Sequence, residues 1–300
     1  MFHTWLPYLV CTVPRSGSWL LCTALRRTGE AGSPEEYFWD MQRPRYAERW
    51  GLPEEPTDTA YIDAALWHGS TANGVFGAKV HWFQLRQLLA RLRAEAGGGR
   101  RSARRLLEDR FGPLTYIRLR RQDKVRQAIS YYRALETGEW WRTHGAPMPE
   151  ENVLTIDTVD LIRVRELETM LVQHEARWTQ FFTDAGIRPL VVTYEELSED
   201  YVPTVRRVLD HLGLYHVEVA PQTMLARQAD GTTEDLVQRY VTARRSFTVS
   251  DPELYGRGFT DAFVAAGTNG SSGSNGSNGS NGSGGNGHDP QADGSDGSAA

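Results

Sequence analysis

Short apolar runs alternate along this chain with stretches of helical period. Tyr8–Val13 is a continuous apolar run of strand length, and an amphipathic segment from Gly17 to Thr28, closed by Gly29, follows at once. Val75–Trp82 predicts a second strand, leading into a helix from Phe83 to about Glu95. Leu114–Leu119 predicts a third, with a helix from about Gln122 to Thr137. A long helical pattern covers Thr158 to about Ala185, then a strand at Pro189–Thr193, a helix near Pro203–Leu212 and another at Thr232–Tyr240. Strands separated by helices predict an α/β fold, a parallel sheet flanked by helices, with ligands at the carboxyl ends of the strands.

The pattern stops near Gly267, where Ser-Gly-Asn repeats begin. Such a segment cannot bury enough apolar surface to offset the entropy of ordering it. The expected division is a folded domain over 1–266 and a disordered Gly/Ser/Asn-rich tail over 267–300. At 300 residues and 40% apolar content, the chain is long enough for one large domain or two small ones. Its formal charge of −5 leaves no global footprint for nucleic acid. The arginine-rich run Arg86–Arg110 carries leucines at helical spacing around the Gly97-Gly98-Gly99 break, which predicts a solvated helix pair. No segment approaches the roughly 20 apolar residues of a membrane span, and no secretory leader is visible. Cys11 and Cys22 read as buried free thiols, so a cytoplasmic protein is expected.

Candidate chemistry begins at Pro14-Arg15-Ser16-Gly17-Ser18, between the first strand and its helix. Helix N-terminal N–H groups and their dipole favour an anion there, Arg15 adds a full positive charge, and Gly17 lets the backbone close around a phosphate. The triphosphatase loop, with four residues between glycines and then Gly-Lys-Ser/Thr, is absent, so ordinary Mg-ATP hydrolysis is not expected. Arg120–Arg121 also follows a strand, and Ser130 lies roughly two and a half helical turns further on. On spacing alone this pair is either a solvated basic face or one half of a phosphate site. Two anion sites at neighbouring strand ends suit a nucleotide with phosphates on opposite sides of its ribose.

The Pro14–Ser18 turn resembles the 5′-phosphosulfate loop of sulfotransferases, and Arg121 with Ser130 resembles their 3′-phosphate pair. More narrowly, the chain resembles the bacterial trehalose 2-sulfotransferase family. The likeness runs in order through Tyr8-Leu9-Val10, Gly32-Ser33-Pro34-Glu35-Glu36-Tyr37-Phe38, Gly77-Ala78-Lys79, the Gln127–Ala134 helix and Arg227-Gln228-Ala229-Asp230. It implies a P-loop-NTPase-like sulfotransferase fold that uses 3′-phosphoadenosine-5′-phosphosulfate (PAPS), releases the bisphosphate PAP and needs no metal. Arg15, Ser16, Gly17, Ser18 and Trp19 would hold the donor's 5′ end, Arg121 and Ser130 its 3′-phosphate, and Arg227 a further phosphate oxygen. Arg15 and Ser18 would stabilise the transferring and leaving oxygens.

Glu36 would be the general base, with its neighbour Glu35 as competitor. Burial beside Tyr37, Phe38 and Trp39 would raise the Glu36 pKa and Arg15 would lower it, and the sequence leaves that balance open. Pro14, Ser33, Pro34, Glu35, Tyr37, Phe38, Trp39 and Lys79 would contact the acceptor. Asp40–Thr57, with Arg43, Arg45, Arg49 and Trp50, would add to its wall. The implied partner is a small-molecule hydroxyl on a trehalose-like carbohydrate or glycosylated compound, and the implied assembly a homodimer. A lipid or secondary-metabolite hydroxyl, or a nucleotide-binding module without turnover, are the alternatives. Pro14 stands where the family carries Gln, and Trp19 where it carries Thr, so the acceptor side departs from the family pattern. Trp67, Trp82, Trp140 and Trp141 are expected in the core or in interfaces.

Overall fold

Strands β1 (Leu6–Thr12), β2 (Val75–His81), β3 (Thr115–Arg120) and β4 (Leu190–Thr193) pair in parallel, in the order β2-β1-β3-β4. This is the arrangement in the computed structural model, which describes residues 6–138, 140, 160–220 and 231–244. The tail, Trp141 and Arg227 lie outside the described residues. Among the described residues are ten α-helices: α1 (Ser18–Arg27), α2 (Arg43–Arg49), α3 (Asp58–Gly69), α4 (Trp82–Glu95), α5 (Ala103–Phe111), α6 (Lys124–Thr137), α7 (Leu161–Asp184), α8 (Tyr194–Glu199), α9 (Tyr201–His211) and α10 (Gly231–Ala243).

The sheet is covered on both faces, which explains why its central strand β1 reads as an unbroken apolar run. Along β1, Leu9 and Cys11 join one buried cluster with Phe76, Tyr131 and Trp178, while Tyr8 and Val10 join a second with Leu21, Leu25 and Val208. The period-two alternation of strand side chains thus feeds two cores at once.

Helix starts follow local capping chemistry. The Asp123 carboxylate accepts from the Arg126 N–H, so α6 begins two residues after the predicted Gln122. Ser102 caps α5 in the same way, and the Gly97–Gly99 break separates α4 from α5 as the leucine spacing predicts. Helices α2 and α3 were not anticipated. The signal for α3 lies in the Thr57 cap and in buried Tyr61, Ile62, Ala65, Leu66 and Gly69 at helical spacing. Trp67 on the same helix is 63% exposed, because it points away from that stripe, so of the expected core or interface placements the core one is corrected.

The Gly32–Trp39 segment is threaded along the outer edge of β2. Gly32 has a φ of +70°, and a Cβ there would sit 2.7 Å from the Gly77 amide nitrogen. The Tyr8 hydroxyl donates to the Ala31 carbonyl at 2.6 Å, and the Lys79 N–H donates to the Glu35 carbonyl at 2.9 Å. These contacts pin residues 35 and 36 beside the carboxyl end of β2. Gly29, with a φ of +69° and open space around it, is the natural comparison. Gly29→Ala is expected to cost about 1 kcal/mol from backbone conformation alone, and Gly32→Ala on the order of 2–3 kcal/mol because the chain must also move off β2. Urea denaturation of both variants checks this, and equal losses would mean the close approach to Gly77 is easily relaxed.

Candidate active site

Strand register brings the candidate residues together. Thr12, the last residue of β1, lies opposite His81, the last of β2, while Cys11 lies opposite Arg118 on β3. The loops that leave these strands therefore emerge side by side.

The loop after β1 is held from within. The Trp178 indole N–H donates to the Thr12 carbonyl at 2.8 Å, and the buried Gln127 amide donates to the Pro14 carbonyl at 2.7 Å. Ser16 is wholly buried with its hydroxyl against that of Thr12, so its side chain faces inward and its backbone faces the site. Gly17 has a φ of +82° at the N-terminal end of α1, and a Cβ there would meet the Tyr194 ring at 2.6 Å. Arg15 also takes a left-handed backbone, with a φ of 60°. Its Nε donates to the Ser130 hydroxyl at 3.0 Å, and its guanidinium also reaches the Trp140 carbonyl.

Arg121 completes this side. It donates to the Arg15 carbonyl at 3.4 Å, and its guanidinium lies 4.6 Å over the Tyr194 ring. Burial pushes its pKa down, and its Nε has no hydrogen-bond partner. A partly buried guanidinium whose Nε lacks an acceptor, beside Arg15 and Ser130, fits a phosphate group, since charge and the missing acceptor are supplied together. Arg15, Arg121 and Ser130 thus occupy one face of the molecule. Trp19 sits under the Arg26 guanidinium at 5.6 Å, on the first turn of α1.

The two adjacent glutamates have different partners. Glu35 pairs with Arg26 at 3.1 Å and Arg49 at 3.5 Å, and accepts from the Tyr46 hydroxyl at 3.0 Å. Glu36 turns to the end of β2, where Lys79 Nζ lies 2.6 Å from its Oε1 and the Gln84 amide donates to its Oε2 at 2.6 Å. His81 Nε2 lies 3.5 Å from the same Oε1. Burial opposes ionisation of Glu36, but the Lys79 ammonium and the His81 ring outweigh it and hold the carboxyl well below the usual carboxylate range. Conversely, burial disfavours the Lys79 cation, but Glu36 outweighs that and raises its pKa. The open balance at Glu36 therefore resolves towards the ionised form, through Lys79 and His81. His81 and Gln84 were not singled out in the sequence. The signal for His81 was the Lys79-Val80-His81 alternation, which sets both side chains on one face of a strand end, and that for Gln84 was its capping-box spacing from His81.

Other expected acceptor contacts fall elsewhere. Tyr37 and Phe38 are core residues, with the Tyr37 hydroxyl donating to the Ser33 carbonyl at 2.5 Å. Trp39 is half-buried against Phe83, and Pro14 and Pro34 are buried. Within Asp40–Thr57, Arg43 pairs with Asp58 at 2.8 Å and covers the Tyr61 ring, Trp50 stacks on Tyr46 and His68, and Arg45 is exposed. Among the described residues, no group of three or more His, Cys, Asp or Glu side chains is placed to hold a metal, and no helix is long and apolar enough to cross a membrane.

Residues 7–243 match the Stf0 sulphotransferase family. This chain belongs to that family. It is 32% identical over 259 residues to the trehalose 2-sulfotransferase of Mycobacterium tuberculosis, covering 78% of this chain and 94% of that protein. It is also 32% identical over 258 residues to the trehalose 2-sulfotransferase of Mycolicibacterium smegmatis, covering 78% and 93%. Among solved structures, the sulfotransferase domain of a Synechococcus olefin synthase aligns with 87% of this chain and 94% of its own, at 16% identity and a TM-score of 0.35. Family membership makes the α/β sheet described above a sulfotransferase scaffold.

The Lys79–Glu36 pair gives this sulfotransferase a signature in acid. A depressed carboxylate stabilises the fold above the unfolded glutamate pKa of about 4.3, and that stability is lost as pH falls through the folded value. Lys79→Met removes the largest charge opposing burial and leaves only His81 against it, so the Glu36 pKa rises. Urea denaturation at pH 7 and pH 3 is expected to show a smaller difference for the variant than for wild type; an equal difference would show that Lys79 does not hold the carboxylate ionised.

Proposed function

We propose that this protein transfers a sulfuryl group from PAPS to a hydroxyl of a carbohydrate, of trehalose type, or of a glycosylated small molecule. The observation that carries this reading is the placing of an ionised, partly buried glutamate at the end of β2, one strand away from a loop that gathers Arg15, Arg121 and Ser130. Such a site has an anion pocket and a proton acceptor, the two parts that in-line transfer to a hydroxyl requires. Membership of the Stf0 family supports sulfuryl transfer, and the likeness to two mycobacterial trehalose 2-sulfotransferases supports the class of acceptor.

When bound, PAPS supplies an activated sulfuryl group on a good bisphosphate leaving group. The chain's own residues do the positioning. Arg121 and Ser130 are suited to the 3′-phosphate that distinguishes PAPS from ATP. Arg15, the Ser16 and Gly17 backbone and Ser18 at the start of α1 are suited to the 5′ side. Glu36 accepts the acceptor's proton. Because Lys79 and Gln84 hold both its oxygens, the carboxylate is fixed in direction before any acceptor arrives. The same proposal includes a cytoplasmic setting, in keeping with the free thiols of Cys11 and Cys22, and a homodimer, as the family resemblance implies, with no nucleic-acid partner.

Transfer of labelled sulfate from PAPS to trehalose and a panel of sugars and glycosides tests the reading, and no transfer to any hydroxyl would overturn it. Glu36→Gln is expected to lower turnover by roughly a hundredfold or more while PAP affinity stays close to wild type. Arg121→Ala is expected to weaken PAP far more than adenosine 5′-phosphate by calorimetry, and equal losses for both nucleotides would make Arg121 structural.

A further inference from the structure

We infer that Glu195 is a positioning residue for the donor's 3′-phosphate: its carboxylate fills the anion position at the tip of α6 and so leaves the phosphate to Arg121 and Ser130. This rests on the 3′-phosphate assignment proposed above and deepens it.

A strand-to-helix turn presents its N–H groups to anions, and Arg121 beside it would make the tip of α6 attractive to a phosphate. Here that position is taken from within. The Gln122 N–H donates to both Glu195 oxygens, at 3.0 Å and 3.1 Å, and the Asp123 N–H donates to Oε1 at 3.3 Å. The Asp123 carboxylate in turn accepts from the Arg126 N–H at 2.8 Å. Two carboxylates thus stand where a phosphate at the tip would stand. A phosphate is left the flank of the helix, where Ser130 lies roughly two turns along and Arg121 is turned back towards the Arg15 carbonyl.

Glu195 is itself held in place. Arg120 of β3 lies opposite Thr193 of β4, so Arg121 and Tyr194 leave the sheet side by side. The Thr193 hydroxyl accepts from the Glu196 N–H at 3.1 Å and the Glu196 carboxylate from the Thr193 N–H at 2.8 Å, which fixes the first turn of α8. Arg207 of α9 pairs with Glu196 at 3.2 Å, and Leu197 is wholly buried. From that turn Tyr194 lays its ring under the Arg121 guanidinium, and Glu195 grips the main chain that follows Arg121. Residue 121 is therefore held at its side chain and at its backbone by two consecutive residues. The capping box needs only Thr193 and Glu196, and the Glu195 carboxylate is turned to the start of another helix rather than its own.

Charge and position act in opposite directions here. Burial lowers the Arg121 pKa, while Tyr194, Asp123 and Glu195 oppose that, so the Glu195 anion lies close enough to compete with a phosphate for the guanidinium. If charge were its whole effect, removing Glu195 would tighten a bound 3′-phosphate. As a clamp it has the reverse effect, because Arg121 then projects from a main chain that has lost its anchor.

Calorimetry with PAP and with adenosine 5′-phosphate separates the two. Glu195→Ala is expected to weaken PAP by about fivefold or more and adenosine 5′-phosphate by less than about twofold. Glu195→Gln keeps one acceptor oxygen and loses the charge, so its PAP affinity should fall between those of wild type and Ala; it replaces Ala if urea denaturation shows that variant unfolded. In an Arg121→Ala background, Glu195→Ala should change PAP affinity by less than about twofold, since the group it positions is gone. PAP affinity equal to or tighter than wild type would overturn the inference, and so would equal losses for the two nucleotides. Amide hydrogen exchange in the nucleotide-free protein needs no donor. There the Gln122 and Asp123 N–H groups should exchange about tenfold faster or more in Glu195→Ala, and exchange at the wild-type rate would remove the clamp. A wild type that fails to bind PAP, with exchange accelerated in the variant, would overturn the proposed function while upholding the clamp on Arg121.

Discussion

The level ends of three parallel strands are what the rest of this site depends on. Because β1 lies between β2 and β3, with Thr12 opposite His81 and Cys11 opposite Arg118, the chain leaves all three strands at one edge. Buried backbone groups at that edge must still be satisfied. They are satisfied by the elements that build the site: Trp178 of α7 takes the Thr12 carbonyl, Gln127 of α6 takes the Pro14 carbonyl, and the Thr12 hydroxyl donates to the Leu119 carbonyl. The loop carrying Arg15 is thus fixed by the same bonds that join sheet to helices, so precision in the loop comes from the core.

Charge is distributed with the same economy of parts. Burying Glu36 and Lys79 together costs desolvation on both sides, so the pair is weak evidence for stability and better evidence for a site that needs a carboxylate held ionised and aimed. Lys124 and Arg120 meet at Glu175 in a similar arrangement, at 2.6 Å and 2.9 Å, but there every charge is answered and α6 is simply tied to α7. Arg121 differs from both. Besides the Tyr194 ring, the Arg15 carbonyl and the nearby charges of Asp123 and Glu195, it keeps an Nε without a hydrogen-bond partner, an arrangement that fits an anion. Arg15, in the left-handed region at a φ of 60°, is held in a conformation that a non-glycine residue adopts at some cost, as is common where function fixes the backbone.

The sheet was legible in the sequence because β1, buried on both faces, leaves a continuous apolar trace, while β2, β3 and β4 leave shorter apolar stretches between helical patterns, broken in β2 by Lys79 and in β3 by Arg118 and Arg120. The first loop was legible because its Gly17 and Arg15 sit at a strand-to-helix junction. Helix α8 was hidden by its length of six residues, and α2 by aromatic residues that pack on each other rather than along one clean stripe. At the site, Glu36 was legible through the family resemblance, but its partners were not. The contact between residues 36 and 79 exists only after the Gly32–Trp39 segment is laid along β2, a placement set by Tyr8, Ala31 and the close approach of Gly32 to Gly77. For the same reason Tyr37 and Phe38, adjacent to Glu36 in sequence, turn away from it into the core.

A crystal structure of the protein with adenosine 3′,5′-bisphosphate bound tests the central claim most directly. The account predicts the 5′-phosphate on the Pro14–Ser18 turn and the 3′-phosphate between Arg121 and Ser130, with the Glu36 carboxylate opening beside the 5′ end. A nucleotide bound away from that shared edge, or one whose 3′-phosphate touches neither Arg121 nor Ser130, would contradict it.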